Sequence, residues 1–122
     1  MERVKNIQDC EKVDKPWGFE IHWAKCDKYV GKVLSINPHC RLSLQYHEKK
    51  EETIYVMSGV LILWESDHEE SGQMLRPGSV YHVKPNQIHR FGAGNQPVML
   101  MEVSSPEIDD VVRLKDDYKR EQ

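Results

Sequence analysis

Apolar and polar residues alternate with a period of two along most of this chain, in short runs separated by Gly, Pro, Asn and Ser. That period belongs to a β-strand, whose side chains point to opposite faces in turn. In FEIHWAK, Phe19, Ile21 and Trp23 share one face. In YVGKVLSINP, Val30, Lys32, Leu34 and Ile36 alternate with Gly31, Val33 and Ser35. Pro38 and His39 mark a turn. RLSLQYH follows, with Leu42, Leu44 and Tyr46 set against Arg41, Ser43, Gln45 and His47. TIYVMSG is rich in β-branched and aromatic residues, Ser58-Gly59 reads as a hairpin turn, and VLILWE is a further strand. After the polar loop SDHEESGQ come MLRPGS, VYHV, KPNQIH and VMLMEV, with Tyr81 and His82 on opposite faces of their strand. Strands at this spacing predict an all-β sandwich or barrel. Residues 1–15 read as a polar leading arm and residues 16–122 as one domain. The last stretch, PEIDDVVRLKDDYKREQ, fits a short helix through Val111, Val112 and Leu114, and its β-branched neighbours fit a strand as well.

Composition narrows the classes. The 122 residues suffice for one core. With 39% apolar and 30% charged residues the chain should fold and stay in solution. Seventeen basic against twenty acidic residues give a net charge of −3, which argues against a sequence-independent nucleic-acid binder. No apolar run reaches the length of a membrane span, and MERVKNIQDCEK has no apolar signal region, so a cytoplasmic protein is expected. Cys10, Cys26 and Cys40 are odd in number and without a CxxC pair, which suggests neither a disulfide framework nor a thiolate zinc site. GQMLRPGS is a turn and not a phosphate loop, because no helix follows it.

The polar face of RLSLQYH is the unusual feature. If Leu42 and its partners pack outward, then Arg41, Ser43, Gln45 and His47 line the interior, and buried polar groups are costly without partners. A bound metal supplies a reason. His47 and Glu52 flank a short charged turn, His89 lies near another turn in KPNQIHRF, and Gln45 points the same way as His47. Two imidazoles, a carboxylate and an amide oxygen make a mixed N/O set. It suits one divalent ion among Zn, Mn, Fe, Co and Ni, and is poor for calcium. Gln45 either ligates or bonds a metal-bound water.

These positions resemble the two motifs of the cupins. The first, G(x)5HxH(x)3–4E(x)6G, maps onto His39, Gln45, His47, Glu52 and Gly59; the second, G(x)5PxG(x)2H, maps onto Gly78, Lys84, Asn86 and His89. His39 stands for the first glycine, Gln45 for the first histidine, Lys84 for the proline and Asn86 for the second glycine. Asn suits a position that needs positive φ. LSLQYH with its downstream Glu, PWG near the start and DDVVRLKDDY near the end are similar to the isomerase domain of type II mannose-6-phosphate isomerases, which in those bifunctional enzymes follows a mannose-1-phosphate guanylyltransferase. The resemblance runs from about Pro16 to Arg120, and the segment before IDDVVR is shorter than the family's glycine-rich stretch.

The resemblance implies a single-domain cupin, a jelly-roll β-barrel holding its metal near one mouth and admitting a small molecule. It implies an isomerase acting on a sugar phosphate. Glu102, which breaks the apolar run VMLMEV, is a candidate base, with a salt bridge as its simpler role. Lys32 is either a surface charge or an inward cation for a phosphate or enediolate, and Arg41 either an anion binder or a solvated strand end. His22, His39 and His68 are assigned to surface or loop, and Trp17, Trp23 and Trp64 to core or interface. Two alternatives stand beside the isomerase: a non-haem iron oxygenase using His47, Glu52 and His89 as a facial triad, and a non-catalytic sugar-binding or regulatory cupin. An exposed apolar sheet face would pair two copies as a homodimer.

Overall fold

The computed structural model describes residues 3–120. Eleven strands make up the fold: β1 Glu11–Lys15, β2 Gly18–Lys25, β3 Val30–Ile36, β4 Leu44–Tyr46, β5 Glu52–Ser58, β6 Leu61–Trp64, β7 Gln73–Leu75, β8 Val80–Val83, β9 Arg90–Ala93, β10 Val98–Ser104 and β11 Val112–Lys115. Two 3₁₀ turns, Ile7–Asp9 and Glu69–Ser71, complete the regular structure. The C-terminal stretch therefore resolves as a strand, and β1 draws Glu11–Lys15 of the leading arm into a sheet. Among the described residues no helix is long and apolar enough to cross a membrane.

All neighbouring strands pair antiparallel. One sheet has the order β1-β2-β3-β10-β5-β8. The opposing layer joins β7-β6-β9 to β4-β11 through isolated bridges Arg41↔Gly92 and Gln45↔His89. Facing sheets in this Greek-key arrangement form the jelly-roll barrel. Its interior divides along the strand direction. Toward one end Ile36, Leu34, Val98, Leu100, Ile54 and Val56 pack with Leu61, Leu63, Phe91 and Trp17 into the apolar core. Toward the other end the same strands turn Lys32, Glu52, Glu102 and Ser104 inward, and all four are buried.

This division explains where alternation misleads. In β2 the inward face is Glu20 and His22, because it covers the polar half, whereas Phe19, Ile21 and Trp23 lie on the outer face with Lys12 over the Phe19 ring at 4.6 Å. His22 is accordingly buried at the side chain and not at the surface. Along RLSLQYH the alternation breaks: Leu42, Ser43 and Leu44 are all buried, and Arg41 turns outward. His39 and Asn86, at the two motif glycines, both adopt the left-handed region, with φ of 62° and 67°. Tyr81 faces the core and His82 faces out, against Glu51. The three cysteines are free.

The hairpin glycine is constrained both by its backbone conformation and by a close neighbour. Gly59 has φ +77°, and a Cβ there would lie 2.2 Å from the Pro97 carbonyl oxygen. Gly59→Ala should destabilise the fold by at least about 1–3 kcal/mol from the backbone conformation alone. A urea midpoint unchanged from wild type would contradict this.

Candidate metal centre and cavity

His47, Glu52 and His89 meet in the polar half of the barrel. Each offers a ligand atom, all lie within 4.8 Å of one another, and all three residues are buried. Their placement follows from local structure. His47 ends the β4 segment and Glu52 opens β5, so the short turn between them brings both to one point. His89 precedes β9 and exchanges two main-chain hydrogen bonds with Gln45, which sets it beside β4. The left-handed Asn86 donates its amide to the His47 carbonyl at 2.6 Å, tying the second turn to the first.

Both imidazoles are oriented by main-chain oxygens. His47 Nδ1 lies 2.5 Å from the Asp110 carbonyl, and His89 Nδ1 lies 3.0 Å from the Gln87 carbonyl. A carbonyl only accepts, so both rings carry their proton on Nδ1 and turn Nε2 toward Glu52. His47 Nε2 is 2.9 Å and His89 Nε2 3.5 Å from Glu52 Oε1. His89 Nε2 is buried with no hydrogen-bond partner. Neutral rings thus aim two lone pairs at a buried carboxylate, an arrangement that needs a cation at its centre or a further proton on a ring. The donor set of two imidazole nitrogens and one carboxylate oxygen fits a divalent transition metal, and these three residues could hold one.

Charge around the cluster is graded. Burial pushes the Glu52 carboxyl up, but its contacts with His47 and His89 and the Lys50 charge outweigh this and hold it well below the usual range. Burial and the Glu52 charge push Glu102 up to about 8, against the opposing charge of Lys50. Lys50 Nζ sits 3.1 Å from Glu102 Oε2 and 3.9 Å from Glu52 Oε2, bridging the two. Gln45 shares a wall with His47, its Oε1 accepting from Ser43 Oγ at 2.8 Å.

A cavity opens beside His47. Gln45, Lys32, Glu20, Lys50, Lys15 and Arg113 are among its lining residues, together with Arg120, Trp17 and Leu42. Lys32 is therefore inward, with Nζ 3.2 Å from Glu20 Oε1. Of the residues singled out from the sequence, Glu52, His89, Arg41 and Glu102 do not line this cavity, which meets the cluster only at His47. Arg41 is turned away to Asp117 and Glu69, with Nε 2.7 Å from Asp117 Oδ2, and stacks over Trp64. Glu102 lies behind Lys50. Sequence reasoning passed over Glu20, Lys15, Lys50, Arg113 and Asp110. The cations sit in ordinary charged runs, and Lys15 on β1 and Arg113 on β11 reach the cavity from different sheets.

The sequence matches the family "Mannose-6-phosphate isomerase C-terminal" over residues 2–116. The chain belongs to that family. It is 30% identical over 113 residues to the xanthan biosynthesis protein XanB of Xanthomonas campestris pv. campestris, covering 89% of this chain and 24% of that protein. The chain thus spans about a quarter of the length of the curated relatives it matches. Among solved structures, the polyketide cyclase RemF from Streptomyces resistomycificus superposes with a TM-score of 0.79 at 18% identity, covering 93% of this chain and 86% of that one. A sugar phosphate isomerase of the cupin superfamily from Silicibacter pomeroyi superposes with a TM-score of 0.70 at 12% identity, covering 96% and 95%. At these identities the two structures show the cupin fold.

Asp110 is the main support of the turn between His47 and Glu52. Its carboxylate accepts the amides of Glu48, Lys49 and Lys50 at 3.1, 2.7 and 2.8 Å, while its carbonyl takes His47 Nδ1. Asp110→Ala keeps the carbonyl and removes the carboxylate. Hydrogen exchange at the amides of residues 48–50 should then rise by about tenfold or more, since each charge-assisted bond is worth about 1.5–3 kcal/mol. Unchanged protection there would refute the role.

Proposed function

We propose that this protein is a metal-dependent isomerase of a small sugar phosphate. The observation that carries the reading is the composition of the cavity wall: Lys15, Lys32, Lys50, Arg113 and Arg120 surround a space that opens on His47. Some of this charge is matched locally, Lys32 by Glu20, Lys50 by Glu52 and Arg120 by Asp116. Lys15 makes no ion pair among the described residues, and cationic side chains with charge to spare suit an anionic ligand. The family's own description and the sugar phosphate isomerase among the structural neighbours support the same class.

In this reading His47, Glu52 and His89 hold one divalent ion, with Gln45 beside them as a fourth ligand or as the partner of a bound water. The ion's contribution is Lewis acidity toward the substrate's carbonyl oxygen. The chain's residues do the rest. Asp110 and Gln87 hold the imidazole rings in the ligating tautomer. Lys15 and Arg113 receive the phosphate at the cavity wall, the role that Arg41 cannot serve from its position against Asp117. Lys50 balances the carboxylates behind the site. Trp17 and Leu42 provide the apolar side of the cavity and limit water.

The assay is conversion of mannose 6-phosphate to fructose 6-phosphate, with other sugar phosphates in parallel. Metal-loaded protein should turn over and chelated protein should not. Lys15→Ala should raise KM by about ten- to a hundredfold, the worth of one charge-assisted contact, whereas Arg41→Ala should leave KM within about twofold. Sugar binding without turnover on any substrate would replace the isomerase by a recognition role.

We also propose that two copies pair through the outer face of the six-stranded sheet. Ile21, Val33, Met101, Tyr55 and Val80 are successive cross-strand neighbours there, forming an apolar row across five strands. Tyr55, Val80 and Val103 are exposed at 48%, 65% and 50%. A row of this kind favours burial against a like face. Light scattering should give a dimer mass, and Tyr55→Lys combined with Val80→Glu should give a monomer. A monomeric wild type at micromolar concentration would refute the pairing.

A further inference from the structure

Among the described residues the cavity wall holds one carboxylate, Glu20. The other interior carboxylates are committed elsewhere: Glu52 to the two imidazoles, and Glu102 to Lys50 behind them. Glu20 is held at one oxygen only. Its Oε1 meets His22 Nε2 at 2.9 Å and Lys32 Nζ at 3.2 Å, and neither contact uses Oε2. A carboxylate accepts, so His22 donates from Nε2, which leaves its Nδ1 buried without a hydrogen-bond partner. His22 and Lys32 are direct cross-strand neighbours in the β2–β3 pairing. Glu20, one inward position along β2, is therefore clamped through Oε1 by two neighbouring sheet residues while its side chain lines the cavity. Burial pushes its carboxyl up, but the Lys32 charge and the His22 hydrogen bond more than reverse this, so it ionises below the ordinary value.

Resting on the isomerase reading, we infer that Glu20 is the catalytic base that carries the proton between the two carbons, with Lys32 serving the two oxygens. The Glu20 carboxylate takes the proton from C2 of the open-chain aldose. The C2–H electron pair becomes the C1–C2 double bond, and the carbonyl π pair moves onto O1. Protonated Glu20 then returns its proton to C1, the double-bond pair forms the new C1–H bond, and C2–O2 becomes the carbonyl. Lys32 gives a proton to O1 and takes one from O2. No proton or electron is gained or lost overall. Glu102 does not line the cavity and is paired with Lys50, which does.

The test compares wild type with Glu20→Gln, Glu20→Asp and Lys32→Met, using steady-state kinetics, metal content and exchange of the substrate C2 hydrogen in D2O by NMR. Glu20→Gln should lower kcat by about 10²–10⁴-fold, the usual worth of a positioned base, and should stop the exchange. KM should stay within about threefold, and metal content should not change. Glu20→Asp keeps the carboxylate but shortens its reach, so exchange should persist at a reduced rate. If Glu20→Gln does not fold, as judged by circular dichroism, Glu20→Asp and Lys32→Met decide, each with lowered kcat and retained KM. Turnover of Glu20→Gln within about tenfold of wild type overturns the assignment, as does a loss expressed through KM or through metal content. An inactive wild type overturns the isomerase reading and this assignment together, whereas an active wild type with an active Glu20→Gln overturns this assignment alone.

Discussion

The polar half of the barrel depends on one constraint: a carboxylate, Glu52, buried to 3% exposure with two imidazoles aimed at it. Taking such a charge out of water costs several kcal/mol, and only close counter-charges recover it. Lys50 is one, and the imidazoles are others only when a cation or an extra proton joins them. The surrounding structure serves this constraint. The Asp110 carboxylate fastens the turn that carries Lys50, its carbonyl orients His47, the Gln87 carbonyl orients His89, and Asn86 joins the two turns in a conformation few other residues adopt. Glu102 accommodates the same charge in another way, by ionising only near pH 8.

Stability and chemistry are thereby separated along the strands. The apolar end, with Ile36, Ile54, Val56, Leu61 and Leu100 fully buried, supplies the transfer free energy of folding. The polar end contributes little of that and holds groups whose arrangement costs stability. Trp17 stands at the boundary: it belongs to the apolar cluster and also lines the cavity. The next residue, Gly18, lets the chain pass so close to β3 that a Cβ would fall 1.9 Å from the Ser35 carbonyl oxygen. The PWG stretch thus seals the core and shapes the cavity with adjacent residues.

The all-β character and the His47–Glu52–His89 cluster were legible in the sequence because they rest on periodicity and on fixed spacings, whereas KPNQIH, read as a strand, is a turn between β8 and β9. His47, Glu52 and His89 fall where the motif spacing puts them, and His39 and Asn86 take the backbone conformation of the glycines they replace. Which face of a strand points inward was not legible where the interior is polar. Phe19, Ile21 and Trp23 share one face, as the alternation indicates, but it is the outer one, because the inner face of β2 meets Lys32 and the cavity. Alternation left Arg41 either an inward anion binder or a solvated strand end; the strand is irregular between Arg41 and Leu44, and three consecutive buried residues change the phase and turn Arg41 outward. The partners that draw Arg41 outward, Glu69 and Asp117, lie 28 and 76 residues away in the chain, beyond any local pattern.

The same long-range placement gives the site its second side. Metal chemistry alone polarises a carbonyl, and moving a proton between carbons requires a separate base that faces the ligand and is not consumed by the metal. Glu52 is excluded by its role among the imidazoles, and Glu102 by its position behind Lys50. Glu20 reaches the cavity from the opposite sheet edge, on a strand whose alternation conceals it. A jelly-roll brings β2 and the β4–β5 turn together only through β3, β10 and β5. Glu20 and Glu52 therefore sit on one sheet, at a separation that the hydrogen-bond register holds, while His47 and His89 come from the facing layer, so in the proposed reaction the spacing of base and metal ligands would be set by the packing of two sheets.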